Sequence, residues 1–377
     1  MLSSILVPKD FSLQATFNLD PNQVDPAIMV SGYAIPDPST LADTVAQKYA
    51  SFLIAAIPET DPHYTFRKDV ISDIFNWWID GESRDVLQLW GPTGSGKTSA
   101  FDEWCGRLGV PRFAVKGHRG FEPHEAFGHY VSGPNGETIY APGPVTLAAQ
   151  YGLPCIINEY DRIQPTRAIV FNDVFEARSF PMPGKHGEML IPRKGFRTCI
   201  TSNTNLVEDL TGNYGTAATQ DTSLLERICS IHVLYPEAET ERNILTKVLA
   251  EFDDKLLSYW FDQEGIKLST KAGIKEGAAI SRIEFIDGCI EVAHKIRAQS
   301  KDAGNDTDSA LERTMSTRIL RKWARQSVRH CAAPEKLGKS ALHMALKKYL
   351  SNLSTESTRI ALHQAVETVF GVGPEIQ

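Results

Sequence analysis

The sequence predicts an α/β fold, a three-layer sandwich on a parallel sheet, followed by an all-helical region. Three observations predict it. Residues 85–236 alternate short apolar runs with helical stretches, the pattern of strands joined by crossover helices. A glycine-rich segment, Gly91-Pro-Thr-Gly-Ser-Gly-Lys97-Thr98, lies between one such run and a helix and fits GxxxxGK[ST]. From Ala238 to Phe370 the pattern is almost wholly helical.

Composition narrows the class. At roughly 150 residues per domain, 377 residues correspond to two or three domains. The 39 basic and 46 acidic residues give a net charge of −7, which argues against a chain basic all over and built to coat nucleic acid. A hydrophobic content of 42% is enough for a real core. No run of 18 apolar residues occurs, so no membrane span is expected. The start, Met1 to Asp10, has no basic stretch followed by a long apolar run, and a cytoplasmic chain is expected. Cys105, Cys155, Cys199, Cys229, Cys289 and Cys331 form no CxxC pair, so free thiols in a reducing compartment are expected.

The elements follow in order. Residues 1–60 are broken by prolines and look helical only over Leu41–Ala56, so they are read as an N-terminal extension or small module. The α/β domain is placed at 61–236 and the helical part at 237–377. Over Phe66–Trp78, Val70, Ile71, Ile74, Phe75 and Trp78 mark one face of an amphipathic helix. Strands are expected at Val86–Trp90, Arg112–Val115, Cys155–Ile157, Arg197–Thr201 and Ile228–Leu234, with a helix at Ser99–Leu108. Turn residues predict two inserted hairpins, one over Tyr130–Tyr140 and one over Arg178–Ile191. Ser300–Asp308 is read as a loop, and no internal repeat appears at a fixed period of 20–50 residues.

The chemistry centres on the glycine-rich loop. Gly91, Pro92, Thr93, Gly94, Ser95, Gly96, Lys97, Thr98 and the following Ser99 are expected to cradle the phosphates of ATP. Glycines let backbone N–H groups curl around an anion, and the helix start adds positive potential. Lys97 supplies a point charge to the outer phosphates, and the Thr98 hydroxyl a ligand for Mg²⁺. Downstream, the apolar strand Leu153–Ile157 ends in Asn158-Glu159-Tyr160-Asp161. Such a strand usually ends Asp-Glu, the Asp holding Mg²⁺ through water and the Glu orienting or deprotonating the attacking water. Asn158 keeps the hydrogen-bonding capacity and loses the charge, so slow basal hydrolysis is expected. Glu159 keeps the base, and Asp161 is a candidate substitute carboxylate.

Further residues carry a resemblance. Asn203 ends the run Cys199-Ile-Thr-Ser-Asn203; Arg227 stands in Leu224-Leu-Glu-Arg227-Ile just before a strand; Arg318 stands in Met315-Ser-Thr-Arg318-Ile-Leu-Arg-Lys-Trp323-Ala324. These resemble the sensor-1 residue, the arginine finger and the sensor-2 helix of AAA+ ATPases. With the two hairpins, the chain resembles the MoxR branch, and within it the CobS-type subunit of aerobic cobaltochelatase. The strings that carry the finer likeness are Asp61–Phe66, Asn158–Asp161, Phe196–Thr204, Leu210–Thr216 and Ser316–Arg318. The resemblance spans roughly residues 60–330. It implies a P-loop NTPase sandwich with a helical lid, ATP and Mg²⁺ as cofactors, and a homo-oligomeric, hexameric ring. Lys97, Thr98, Glu159 and Asn203 would then act from one subunit, Arg227 from its neighbour, and Arg318 from a lid.

Three functions stay open: a motor that remodels a separate protein with a von Willebrand A (VWA) domain, a cobaltochelatase subunit driving cobalt into a corrin precursor, and a DNA-processing ATPase of a phage or mobile element. The last has only the basic stripe Arg318, Lys322, Arg325 and Arg329 behind it, a pattern read first as a solvated or intersubunit face. His118, His124 and His129 have spacings that match no common zinc pattern and are read as part of a polar loop. Phe75, Trp77 and Trp78 are read as core aromatics in preference to a base-stacking platform.

Overall fold

A computed structural model describes residues 2–62, 64–80, 85–185, 187–207, 220, 222–253, 257, 282–300, 311–330 and 340–374. The Leu210–Thr216 string, Cys331 and most of the Ser300–Asp308 break lie outside these. The described residues form two compact units. The first comprises residues 2–91 and 96–233; the second comprises Pro92–Ser95 and everything from Leu234 onward.

The first unit is built on five parallel strands. In chain order they are β3 (Val86–Trp90), β4 (Phe113–Lys116), β7 (Pro154–Asn158), β10 (Arg197–Ser202) and β11 (Ile228–His232). They lie side by side as β11-β3-β10-β7-β4. All but the ends of β3, β7 and β10 are buried on both faces, which is why they read as largely apolar runs, with Gln88, Thr198 and Thr201 as buried polar exceptions inside them. Burial of both faces makes this a three-layer α/β sandwich. Register is parallel throughout: Cys199 pairs with Leu87 and with Ile156, and Ile228 with Val86.

The N-terminal residues share this core. β1 (Val7–Ser12) and β2 (Met29–Ala34) form an antiparallel hairpin that the sequence reading does not contain. The reason is physical. β1 is solvent-exposed along most of its length and contains Pro8, so it carries no apolar alternation. Phe17 stacks on Trp104 at 4.7 Å, and Leu53 of the helix Thr44–Ala55 is fully buried. Gly32 is needed where β2 meets the chain at Leu108, since a Cβ there would lie 2.1 Å from the Leu108 carbonyl oxygen. Trp77 and Trp78, on the helix Lys68–Ile79, pack against Phe101 and Trp104.

Both inserted hairpins form, at altered lengths. β5 (Gly128–Ser132) and β6 (Thr138–Pro142) pair over five residues each. β8 (Phe180–Pro181) and β9 (Met189–Leu190) shrink to two residues each, far short of Arg178–Ile191. Pro181 and Pro183 have no N–H to donate, so the ladder is interrupted around them, although Met182 N still donates to Glu188 O at 2.9 Å.

The second unit holds the helices Ala238–Ala250, Arg282–Ala298, Thr317–His330, Ala341–Tyr349 and Glu356–Phe370. Leu249, Phe285, Trp323, Leu346 and Val366 are among its core residues. Inside it, the fully buried Glu241 carboxylate takes two bonds from Arg297, at 2.9 and 2.7 Å, and one from Thr317 Oγ1 at 2.9 Å. That pairing satisfies an otherwise costly charge and pins the start of the helix Thr317–His330. Among the described residues no helix is long and apolar enough to cross a membrane.

A buried histidine chain closes the same unit. His343 Nε2 lies 2.7 Å from the Val372 carbonyl, which can only accept, so this nitrogen carries the proton. His343 Nδ1 therefore accepts from His363 Nδ1 at 2.6 Å, and His363 Nε2 accepts from Ser351 Oγ at 3.0 Å. This assignment puts one proton on each ring, the neutral form that burial favours. Burial lowers both pKa values, His363 to about 4 with help from His343, Lys347 and Arg359, while Glu367 opposes the shift at His343. A histidine with a depressed folded pKa stabilises the fold above its unfolded value of 6.5, and that stability is lost as pH falls toward 4. Thermal melts of wild type should drop more steeply from pH 6.5 to 4.5 than those of His363→Gln. Equal slopes would show that the pair does not set acid stability.

Candidate functional site

The loop after β3 is shaped by glycine. Gly91, Gly94 and Gly96 have φ of 143°, 79° and 100°, angles that residues with a Cβ seldom adopt. At Gly91 a side chain would also meet the Val233 carbonyl oxygen at 2.4 Å. The loop leads into the helix Lys97–Arg107, which begins two residues earlier than the sequence pattern suggests, so Lys97 and Thr98 sit in its first turn. There the backbone N–H groups are unsatisfied by the helix itself, a setting suited to anions.

Lys97 is buried. Its Nζ donates to Gly91 O at 2.7 Å and to Asn203 Oδ1 at 3.1 Å. Asn203 follows β10, the neighbour of β3, so the strand order alone brings the two together. Thr98 Oγ1 donates to Asn158 Oδ1 at 3.0 Å, and Thr201 Oγ1 donates to the same oxygen at 3.2 Å. The Thr98 hydroxyl and the Asn158 amide oxygen thus form one neutral pair of oxygens, a donor set that suits a hard cation such as Mg²⁺.

Glu159 leaves the strand tip with φ of 55°, a left-handed conformation in a residue with a side chain. Its N–H donates to Thr201 Oγ1 at 3.2 Å. Its carboxylate pairs with Arg162 at 3.1 Å. Sequence does not distinguish Thr201 or Arg162, whose only signals are a Thr within a strand-like run and a base three residues past Glu159.

Asp161 does not stand in for the missing strand-tip carboxylate. It is buried, and its Oδ2 accepts from the N–H groups of Asn203 at 2.8 Å and Thr204 at 3.3 Å. The short turn Tyr160–Arg162 directs it to the segment just after β10. Burial raises its pKa, partly offset by those two amides. Its place in the fold is to hold the segment that carries Asn203.

Arg227 immediately precedes β11 and lies level with the start of β3, because Val86 N donates to Arg227 O at 2.9 Å. The glycine-rich loop starts after the far end of β3, five residues on, or about 16 Å away at strand rise. No arginine side chain spans that distance, so Arg227 does not meet its own chain's phosphate loop. It is ion-paired with Glu176 through Nε.

Arg318 is exposed in the first turn of the helix Thr317–His330, capped by Ser316 Oγ accepting from Ile319 N at 3.3 Å. The loop apex Pro92–Ser95 groups with this helical unit: a Cβ built on Gly94 would reach Ser316 at 2.7 Å and the Arg318 Cβ at 3.7 Å. Of the remaining basic stripe, Arg325 pairs with Glu251 at 2.9 Å and Arg329 lies over the Phe252 ring. His118 pairs with Glu125, and among the described residues no three His, Cys, Asp or Glu side chains group as metal ligands.

Residues 86–222 match the family model described as AAA domain, dynein-related subfamily. Gas vesicle ATPase GvpN2 of Halobacterium salinarum is 28% identical over 194 residues, covering 46% of this chain and 54% of that protein. Protein NorQ of Paracoccus denitrificans is 26% identical over 159 residues, covering 42% of this chain and 56% of that protein. Gas vesicle ATPase GvpN of Haloferax mediterranei is 24% identical over 260 residues, covering 60% of this chain and 72% of that protein. The chain spans little more than half the length of the first two. The α/β unit thus contains an AAA domain, with the parallel sheet and glycine-rich loop of a P-loop NTPase.

Proposed function

We propose that this protein binds and hydrolyses ATP as a ring-forming motor of the MoxR branch of AAA+, hexameric and acting on a separate VWA-domain partner. The observation that carries the reading is the Lys97 ammonium held between Gly91 O and Asn203 Oδ1, beside the Thr98–Asn158 pair. The cation, the sensor amide and the metal-side oxygens converge at the mouth of one loop. The relatives' printed name of ATPase agrees with it.

In this reading, Lys97 and the N–H groups of Gly94–Thr98 bind the phosphates. Asn203 and Glu159 orient the attacking water, and Glu159 takes its proton. Thr98 and Asn158 would hold Mg²⁺, which supplies charge neutralisation on the outer phosphates when bound. Arg318 adds positive charge beside the loop apex. Arg227, at the far end of its own sheet, serves the nucleotide of the next subunit, and this is what calls for a ring.

Asn158 supplies the test. An amide where a carboxylate is usual removes one negative charge next to the metal, so basal turnover is slow and demands high Mg²⁺. Asn158→Asp should raise the basal rate or lower the Mg²⁺ midpoint by about tenfold, the size of typical second-layer effects, and should be stimulated less by the partner. The measurement is ATPase rate against Mg²⁺ for wild type and variant, with and without a purified VWA-domain protein encoded nearby. Stimulation by single-stranded DNA in place of the VWA protein would favour the DNA-processing reading. Stimulation only with a corrin substrate and a large chelatase subunit would favour the cobaltochelatase reading. An unchanged rate and Mg²⁺ dependence would remove any metal-tuning role from position 158.

A further inference from the structure

Glu176 joins elements far apart in the chain. It follows the short helix Asn172–Phe175. Its Oε1 takes the Nε–H of Arg227, fifty-one residues on, and its Oε2 pairs with Arg178 Nε at 2.6 Å. The carboxylate is largely shielded, with 18% of the side chain exposed, whereas Arg178 is 66% exposed. The pair with Arg227 is therefore the better protected of the two.

The backbone that carries Glu176 is fixed on both sides. Before it, Phe171 and Phe175 stack at 5.8 Å, and Phe175 packs on Tyr160 at 5.6 Å. Tyr160 directly follows Glu159, so one aromatic stack connects the strand tip of the nucleotide site to Glu176. After it, Ala177 takes a left-handed conformation with φ of 47°, and Arg178 N bonds back to Asp173 O at 3.1 Å. A residue with a Cβ is strained there, and that turn brings Arg178 to the Glu176 carboxylate that also holds Arg227.

We infer that Glu176 is the positioning residue of Arg227. A carboxylate bonded to Nε fixes the plane of the guanidinium at its stem, so the terminal nitrogens are aimed before a phosphate arrives. A charge acts on a transition state only when its geometry is set in advance, and a displacement near 1 Å can cost about a hundredfold in rate. Glu176 touches no reacting atom; it acts through Arg227. The inference rests on the reading of Arg227 as the residue offered to a neighbouring subunit's nucleotide.

The experiment compares wild type with Glu176→Gln, Glu176→Asp, Arg227→Ala and the double variant Glu176→Gln/Arg227→Ala, all as full chains. It measures steady-state ATPase, affinity for a fluorescent ADP analogue, and melting temperature. Glu176→Gln should lower kcat roughly tenfold, with KM, ADP affinity and melting temperature unchanged. Glu176→Asp, which keeps the charge and retracts it by one methylene, should fall between. In the Arg227→Ala background Glu176→Gln should cost nothing further. If Arg227→Ala is inactive while both Glu176 variants stay within twofold of wild type, Glu176 does not position the arginine. A Glu176→Gln loss that is undiminished in the Arg227→Ala background, or one matched by a fall in melting temperature with no intermediate value for Glu176→Asp, would mark a purely structural role. If Arg227→Ala itself turns over like wild type, the reading of Arg227 falls, and this inference with it.

Discussion

Replacing Lys97 with Ala should abolish ATP turnover and weaken nucleotide binding at least tenfold. The ammonium is the side-chain cation nearest the cradle, and charge-assisted bonds to phosphate are among the strongest a protein makes. The loss in kcat should reach roughly a hundred- to a thousandfold, the cost of removing one preorganised donor from a developing charge. Lys97 also carries the contact between the loop and Asn203 at 3.1 Å, so the variant uncouples the sensor amide from the phosphate site. Lys97→Arg should not restore activity, because a planar fork cannot keep the two acceptors, Gly91 O and Asn203 Oδ1, that one compact ammonium reaches. Radiolabelled ATP hydrolysis and ADP-analogue titration report the two effects separately. Undiminished hydrolysis in Lys97→Ala would reject the loop as the nucleotide site.

Arg227→Ala should leave nucleotide binding nearly intact and cut hydrolysis about a thousandfold or more, the range of arginines that act on phosphoryl-transfer charge. The two effects separate because Arg227 stands at the end of β11 opposite the loop of its own chain. The fold should survive the change, since Arg178 still neutralises Glu176 at 2.6 Å. The stronger test is a mixture. Arg227→Ala subunits keep Glu159, and Glu159→Gln subunits keep Arg227, so some interfaces of a mixed ring combine both intact groups. Mixing two nearly inactive preparations should therefore recover part of the activity. Light scattering of the wild type with ATP and Mg²⁺ gives the assembly state directly. A monomer under those conditions, or wild-type turnover by Arg227→Ala, would end the ring reading.

The sheet and the loop were legible in the sequence for a shared reason. A strand buried on both faces of a parallel sheet is mostly apolar on both, so Val86–Leu89, interrupted only by the hydrogen-bonded Gln88, and Cys155–Ile157 stand out without any partner being known. The loop is equally local: three glycines, a lysine and a threonine within eight residues do their work through their own backbone angles. What the sequence alone did not reveal are pairings between residues far apart. The β1–β2 pairing depends on β1, a strand exposed along most of its length, which leaves no hydrophobic pattern of its own. Asp161 looked free to replace the missing carboxylate of Asn158, and only the turn after β7 directs it to the amides of Asn203 and Thr204. Thr98 meets Asn158 across sixty residues, and Glu176 meets Arg227 across fifty-one. These contacts depend on the strand order β11-β3-β10-β7-β4 and on the turns at the strand ends. Periodicity along a chain records how much of each residue is buried, whereas the partner of a polar side chain is set by which strand lies next to it in space.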